Sequence, residues 1–228
     1  MNILILVLSY NASPYKELME AQQTTFDSES INGIRTVYYH GGLHNEGAID
    51  FSIKRSTPHS TWERVEFSIT DEYYRMGGKF KKALQYVDDL DYDIIFRTNS
   101  SSYINKRLLK TVAETLPKER LYAGWTFIDS EDFGGLCVSG AGIFLSRDTA
   151  KILMNEIDPE KEIEEDVYIG RILRKHGIEA IDDKSRYDIP ILIPPDIPLD
   201  RYHYRMKTTA NRLADIGNMR ALHKLIIG

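Results

Sequence analysis

Three carboxylates in a row, Glu164-Glu165-Asp166, open a segment that continues as Val167-Tyr168-Ile169-Gly170-Arg171-Ile172-Leu173. Ile169, Ile172 and Leu173 recur at the spacing of one buried helix face and Gly177 supplies a C-terminal stop, so the acids belong to the first turn of a short amphipathic helix. Acids there can simply satisfy orphan N–H groups and complement the helix dipole. One carboxylate is enough for that and three repel one another, which leaves one of them available for chemistry.

Two upstream segments give that cluster a context. Phe96-Arg97-Thr98-Asn99-Ser100-Ser101-Ser102-Tyr103-Ile104-Asn105 reads as a strand running into a polar turn, and Cys137-Val138-Ser139-Gly140-Ala141-Gly142-Ile143-Phe144-Leu145-Ser146-Arg147-Asp148 as a glycine-spaced segment before a helix start. In this order the three segments resemble the β-1,3-galactosyltransferase and Fringe group of glycosyltransferases. The pattern of that group is a strand ending in Lys-Thr-Asp-Asp-Asp, then Ser-Gly-Ala-Gly with a Leu-Ser-Arg-Asp helix start, then Glu-Asp-Val-Tyr-x-Gly. The likeness is specific from about Asp71 to Gly177, weaker over the first 70 residues, and nearly gone afterwards apart from His203.

The resemblance implies a GT-A-like fold and transfer of a hexose, with inversion, from a nucleoside-diphosphate sugar (UDP most of all) to a saccharide or glycoconjugate hydroxyl. Asp166 would then take the acceptor proton as general base, with Glu165 the runner-up and Glu164 facing solvent. The expected donor contacts are Ser9 and Asn11 after the opening strand, Lys79, Arg97, and the turn Asn99, Ser100 and Ser101. Gly140, Ala141 and Gly142 add backbone that can approach a sugar ring closely. Trp125, at a strand end, is the candidate to stack on an acceptor sugar. Members of the group place a late histidine on the metal or the diphosphate, which nominates His203. Arg205 and Lys207 beside it suit the negative charge that develops as a nucleoside diphosphate departs.

One departure from the pattern bears on the cofactor. Where the group carries its Asp-x-Asp metal motif, this chain has Asn99-Ser100-Ser101. Neutral amide and hydroxyl oxygens are poor primary ligands for Mg²⁺ or Mn²⁺, which favour carboxylates. Either the ion is held otherwise, with His203 the first residue to examine, or guanidinium and ammonium groups replace it, or catalysis is lost. Asp89-Leu90-Asp91-Tyr92-Asp93 imitates Asp-x-Asp twice, but at the strand's entrance, the wrong end for a ligand.

Composition is that of an ordinary globular protein, and the length suits one domain or one with a small appendage: 228 residues, 42% hydrophobic and 28% charged. A single cysteine, Cys137, rules out an intrachain disulfide and reads as a buried strand residue. From Arg201 onward six basic residues face Asp215 alone, a net of +5, which leaves −10 for residues 1–200 out of the whole chain's −5. An acidic body argues against nucleic acid as a partner, and the cationic tail argues for one anionic ligand met by that tail. The competing reading of the tail is peripheral docking on an anionic membrane. The apolar run Ile3–Leu8 is too short to span a membrane and lacks the flanks of a signal peptide. Eukaryotic relatives in the group are anchored in the Golgi, so a chain that starts at its first strand is expected to be cytoplasmic, bacterial or viral within the host.

Strands and helices alternate along the chain. Strands are expected at Ile3–Leu8, Ile34–Tyr39, Val65–Ile69, Ile94–Thr98, Leu121–Trp125 and Ile143–Leu145. Helices are expected from Pro14 to Phe26, Asp71 to Val87, Lys106 to Leu116, Asp148 to Ile157 and Asp166 to His176. Gly41-Gly42 marks a turn and the polar residues 43–63 a mobile loop. Four prolines between Ile189 and Pro198 exclude a central strand or helix there and suggest a linker that delivers the basic tail. Such alternation predicts an α/β, Rossmann-type, mostly parallel sheet with helices on both faces and ligands outside the carboxyl ends of its strands. The nucleotide-sugar-binding and catalytic unit would span residues 1–188, with 189–228 packing on it as linker and basic helix.

Two other readings compete. A non-catalytic nucleotide-sugar- or glycan-binding module would keep the fold and lose the chemistry with the metal motif, but such a site has no use for clustered carboxylates. A sugar nucleotidyltransferase would need a glycine-rich, basic phosphate loop after the first strand, and none is present.

Overall fold

The computed structural model describes residues 1–42, 51–56, 61–70, 72, 76–131, 134–161, 163–208 and 211–228, with backbone alone described for 51–56 and 61. Its centre is the apolar run expected at the start of the chain. Strand β1 (Ile3–Leu8) is buried along its whole length and lies between β2 (Ile34–Gly41) and β5 (Ile94–Asn99), parallel to both. Around these run β3 (Phe51–Ser56), β4 (Thr61–Phe67), β7 (Tyr122–Asp129), β8 (Gly135–Ser146) and β9 (Ile181–Asp182), in the order β3-β4-β2-β1-β5-β8-β7-β9. The four central strands β4, β2, β1 and β5 are parallel, β3 and β8 pair antiparallel to their neighbours, and β7 runs antiparallel to β8 but parallel to β9.

The period-2 alternation of β1 splits the core in two. Ile3, Ile5 and Val7 face the layer of α1 (Tyr15–Gln23), α3 (Lys106–Ala113) and α6 (Ala214–Ile227). Leu4, Leu6 and Leu8 face α2 (Met76–Val87), α4 (Arg147–Glu156) and α5 (Glu165–Lys175). Helices therefore cover both faces, and the α/β, mostly parallel, GT-A-like architecture is observed. No described helix is long and apolar enough to cross a membrane.

Two expectations change. Within the span read as a mobile loop, residues 51–56 and 61–63 are strand; 43–50 and 57–60 lie outside the described residues. The period-2 signal at Val65 and Phe67 belongs to β4, which begins earlier and stops before Ile69. The helix expected from Asp71 is described from Met76 onward, with Asp71 itself outside the described residues. The second change is a small sheet in the order β10-β11-β6, made of β10 (Arg186–Ile189), β11 (His203–Met206) and β6 (Ser102–Ile104). The proline-rich stretch after Ile189 is irregular as expected, but the basic segment beyond it is the middle strand of this sheet, with His203, Tyr204 and Met206 buried.

The aspartates that imitate a metal motif are structural. Asp91 and Asp93 accept hydrogen bonds from the Asn2 amide and backbone N–H, each at 2.7 Å, and so fasten the start of β1 at the sheet's entrance edge.

Candidate functional site

The C-terminal edge of β1 and β5 collects most of the nominated residues, because β8 and α5 deliver theirs to the same place. Thr98 in β5 pairs with Gly142 in β8, and the Thr98 hydroxyl donates to the Ala141 carbonyl at 2.6 Å. Two residues before Gly142, the Gly140 N–H donates to Asp166 Oδ2 at 3.1 Å. Asp166 Oδ1 accepts from the Val167 N–H at 3.1 Å, so both carboxylate oxygens are held while the side chain stays partly accessible. Helix α5 ends as expected: Gly177 takes φ 65°, and the Ile178 and Gly177 N–H groups return to the Leu173 and Arg174 carbonyls in a Schellman motif.

Glu165 is neither exposed nor a cap. It is 3% exposed and ion-paired with the Arg97 guanidinium, itself 2% exposed in β5. Arg97 also donates to the Gly140 carbonyl. One arginine therefore ties the first turn of α5 to the backbone of β8. Burial pushes the Glu165 carboxyl up to about 7, opposed by Arg97 and reinforced by Asp166; Lys79, buried in α2, adds positive charge to the same pair. Glu165, expected as the runner-up base, is thus placed inside the protein on Arg97. Arg97 and Lys79, expected as donor contacts, are placed in this buried charge cluster. Glu164 is exposed, as expected.

The turn after β5 closes on itself. The Asn99 side-chain oxygen accepts from the Ser101 N–H at 3.0 Å, and the Ser100 N–H donates to the Leu8 carbonyl at 3.1 Å. The Ser101 hydroxyl accepts from the Arg212 guanidinium. Every oxygen donor in the turn is neutral, and a fixed cation already sits on Ser101. The turn therefore does not fit Mg²⁺ or Mn²⁺. Among the described residues no group of three or more His, Cys, Asp or Glu could hold a metal ion.

His203, the first residue to examine for a metal, lies inside the protein. It is 1% exposed, and its Nε2 lies 3.0 Å from the Ser102 hydroxyl. Its ring packs edge-on against Phe96 and stacks on Tyr202. Burial lowers its pKa well below 6.5, with Arg186 and Arg205 acting in the same direction, so the imidazole is neutral. A Cβ on Gly142 would fall 2.7 Å from this ring, and one on Gly140 would fall 2.9 Å from Arg97. The two glycines thus make room for the Arg97 and His203 side chains.

The remaining residues divide. Ser9 is buried at the end of β1, with its hydroxyl unpartnered among the described residues. Asn11 is exposed and accepts from Arg64 at 2.6 Å. Arg205 in β11 is partly buried near the turn and near Asp166, whereas Lys207, one residue beyond the strand, is exposed. Trp125 occupies a bulge in β7 and is 40% exposed, with the Arg186 guanidinium 4.6 Å from its ring centroid. Cys137 is buried in β8, as expected.

Sequence reasoning missed Arg186 and Arg212. Both meet the site through long-range pairing: Arg186 through its register with His203, Arg212 through Ser101. The available signal was an arginine on each side of the proline-rich stretch.

No protein-family model matches the chain, and no curated protein is significantly similar to it. Among solved structures it is similar to a glycosyltransferase involved in the glycosylation of the major capsid of PBCV-1. That match has a TM-score of 0.56 at 15% identity and covers 97% of this chain and 100% of the other. Identity this low establishes architecture alone, and the architecture is a glycosyltransferase fold of the GT-A kind.

Proposed function

We propose that this chain is a glycosyltransferase moving a hexose from a nucleoside-diphosphate sugar, UDP foremost, to a hydroxyl of a saccharide or glycoconjugate. The observation that carries the reading is Asp166, held through both oxygens at the C-terminal edge of the sheet, with its negative charge felt by Arg205. An oriented carboxylate opposite fixed positive charge is what an in-line displacement at an anomeric carbon needs. The acceptor oxygen forms a bond to that carbon as the bond to the diphosphate oxygen breaks. The acceptor proton passes to Asp166, and the electron pair leaves with the diphosphate, so configuration inverts.

Arg205, rather than the exposed Lys207, is the cation of β11 that supports the departing charge. Glu165, Arg97 and Lys79 act as positioning residues beneath Asp166. The bulged Trp125, with Arg186 near its ring, is placed to meet an acceptor. The likeness to the β-1,3-galactosyltransferase and Fringe motifs supports this reading through Gly140-Ala141-Gly142 and Glu165-Asp166-Val167-Tyr168-x-Gly170. Residues 1–188 form the nucleotide-sugar unit, and 189–228 pack on it through β11 and α6.

A binding module without chemistry is favoured by one observation, the absence of any carboxylate in Asn99-Ser100-Ser101. A panel of nucleotide sugars tested by thermal shift, followed by turnover assays on the stabilising donor, separates the two, since ligands of the native state raise its melting temperature. Stabilisation with release of nucleoside diphosphate supports the enzyme. Stabilisation with no turnover over a broad acceptor panel supports the module, and no stabilisation by any donor removes both.

A further inference from the structure

Arg212 lies 111 residues from Ser101 in sequence, yet its guanidinium donates to that hydroxyl. The same group donates to the Met206 carbonyl at 3.1 Å and pairs with Asp215 at 2.9 Å, while the Met206 N–H donates to the Ser101 carbonyl at 2.7 Å. The end of β11, the turn after β5 and the start of α6 are thereby fixed around one cation. Arg205 stands beside it with a buried Nε that has no hydrogen-bond partner among the described residues. Across the β10–β11 ladder Arg186 keeps a buried, unpartnered Nη1 and pairs with Asp188 at 2.7 Å.

Three guanidinium groups thus meet in a partly buried place. Burial lowers the pKa of Arg205, and the charges of Arg186 and Arg212 lower it further. Asp188 and Asp215 offset two of the charges, and the donors left over are planar, rigid and suited to phosphate oxygens. A divalent ion at Ser101 would have to sit against the Arg212 guanidinium, which Coulomb repulsion opposes.

We propose that Arg205 and Arg212, backed by Arg186, bind the two phosphates of a nucleoside diphosphate over the Ser101 turn without any divalent metal ion. The inference rests on the nucleotide-sugar reading above and adds the identity of the phosphate-binding cations. The C-terminal segment is then part of the donor site, not an accessory to it.

Calorimetric titration of the purified chain with UDP, GDP and dTDP, in EDTA and again in MnCl₂, tests it. The expected result is a diphosphate that binds equally well in both buffers. Arg205→Gln and Arg212→Gln should each raise its Kd roughly ten- to a hundredfold, as loss of a charge-assisted contact predicts. Arg212→Lys should recover part of the affinity. Arg212 also ties α6 to the turn, so melting temperatures are measured alongside, and Arg205→Gln carries the test if Arg212→Gln proves unstable. Binding that appears only with Mn²⁺, or that is unchanged in a folded Arg205→Gln, overturns the inference and leaves the transferase reading standing. Failure of all three diphosphates to bind in either buffer overturns both.

Discussion

The ring of His203 fills the space beside Gly142: a Cβ on Gly142 would lie 2.7 Å from both Cε1 and Nδ1 of that ring and 3.1 Å from Phe96 Cζ. The glycine in the Ser-Gly-Ala-Gly stretch is thus complementary to a histidine on the small second sheet, and the contact locks β11 against β8. Overpacking a well-filled site costs roughly 1–3 kcal/mol, so Gly142→Ala should lose stability of that order in urea denaturation. Adding His203→Ala should relieve part of the clash, giving a non-additive double mutant. A Gly142→Ala variant as stable as the parent would show that the two elements are not locked in this way.

A second expectation concerns the pair beneath the site. Arg97 and Glu165 are both buried, and removing one partner of such a pair strands the other charge, at about 3–5 kcal/mol. Arg97→Met should therefore destabilise strongly, and Arg97→Met with Glu165→Leu together much less than Arg97→Met alone. Chemical denaturation of the three variants decides it. Equal losses in the single and double variants would mean that the pair does not act as a unit.

How much of this was legible in the sequence depended on range. The strands β1 and β5 announce themselves as apolar runs, and the C-terminal stop of α5 is written in Gly177, because burial and turn chemistry act over a few residues. Strand β4 carries Glu63, Arg64 and Glu66 between its apolar residues, and the six residues of β3 include Lys54 and Arg55; charge at a sheet margin hides the strand signal. Strands of three or four residues, such as β6, β10 and β11, have too short a period to read, and β11 meets β6 across about a hundred residues of sequence. Arg97 carries a clue of a different kind. An arginine directly after Ile94-Ile95-Phe96 must be paired when buried, with an acid or with carbonyls. Local pattern names the need for a partner but not the partner.

The third expectation is a pH dependence with two opposing signs. The pKa of His203 is depressed in the folded state, so its contribution to stability is present above the unfolded value of about 6.5 and lost as pH falls below it. Glu165 is raised from 4.5 to about 7, so its contribution is present below 4.5 and lost as pH rises through about 7. Melting temperatures across pH 4.5–8 should show His203→Gln blunting the acid-side loss and Glu165→Gln blunting the decline between 4.5 and 7. If neither substitution alters the profile, these two groups do not set the pH response.

The last expectation separates adjacent acids by what each should change. Asp166 is partly accessible and bonded to two backbone N–H groups, whereas Glu165 is buried on Arg97. Asp166→Asn keeps the shape and can still accept one of the two N–H bonds, so its stability cost should stay near that of one hydrogen bond, about 1 kcal/mol. Its proton-accepting capacity is gone, and turnover should fall roughly 10²–10⁴-fold while nucleoside diphosphate affinity holds. Glu165→Gln should behave differently: it mimics the protonated carboxyl that burial favours, so its stability cost at neutral pH should be small, and it should spare turnover far more than Asp166→Asn in protein that remains folded. Steady-state kinetics with the donor identified by thermal shift, paired with denaturation of both variants, measures the two effects independently. Near-parental turnover in Asp166→Asn would remove the proposed base. Because Glu165 is buried on Arg97, the acceptor proton would then have to leave through a group outside this cluster or through solvent.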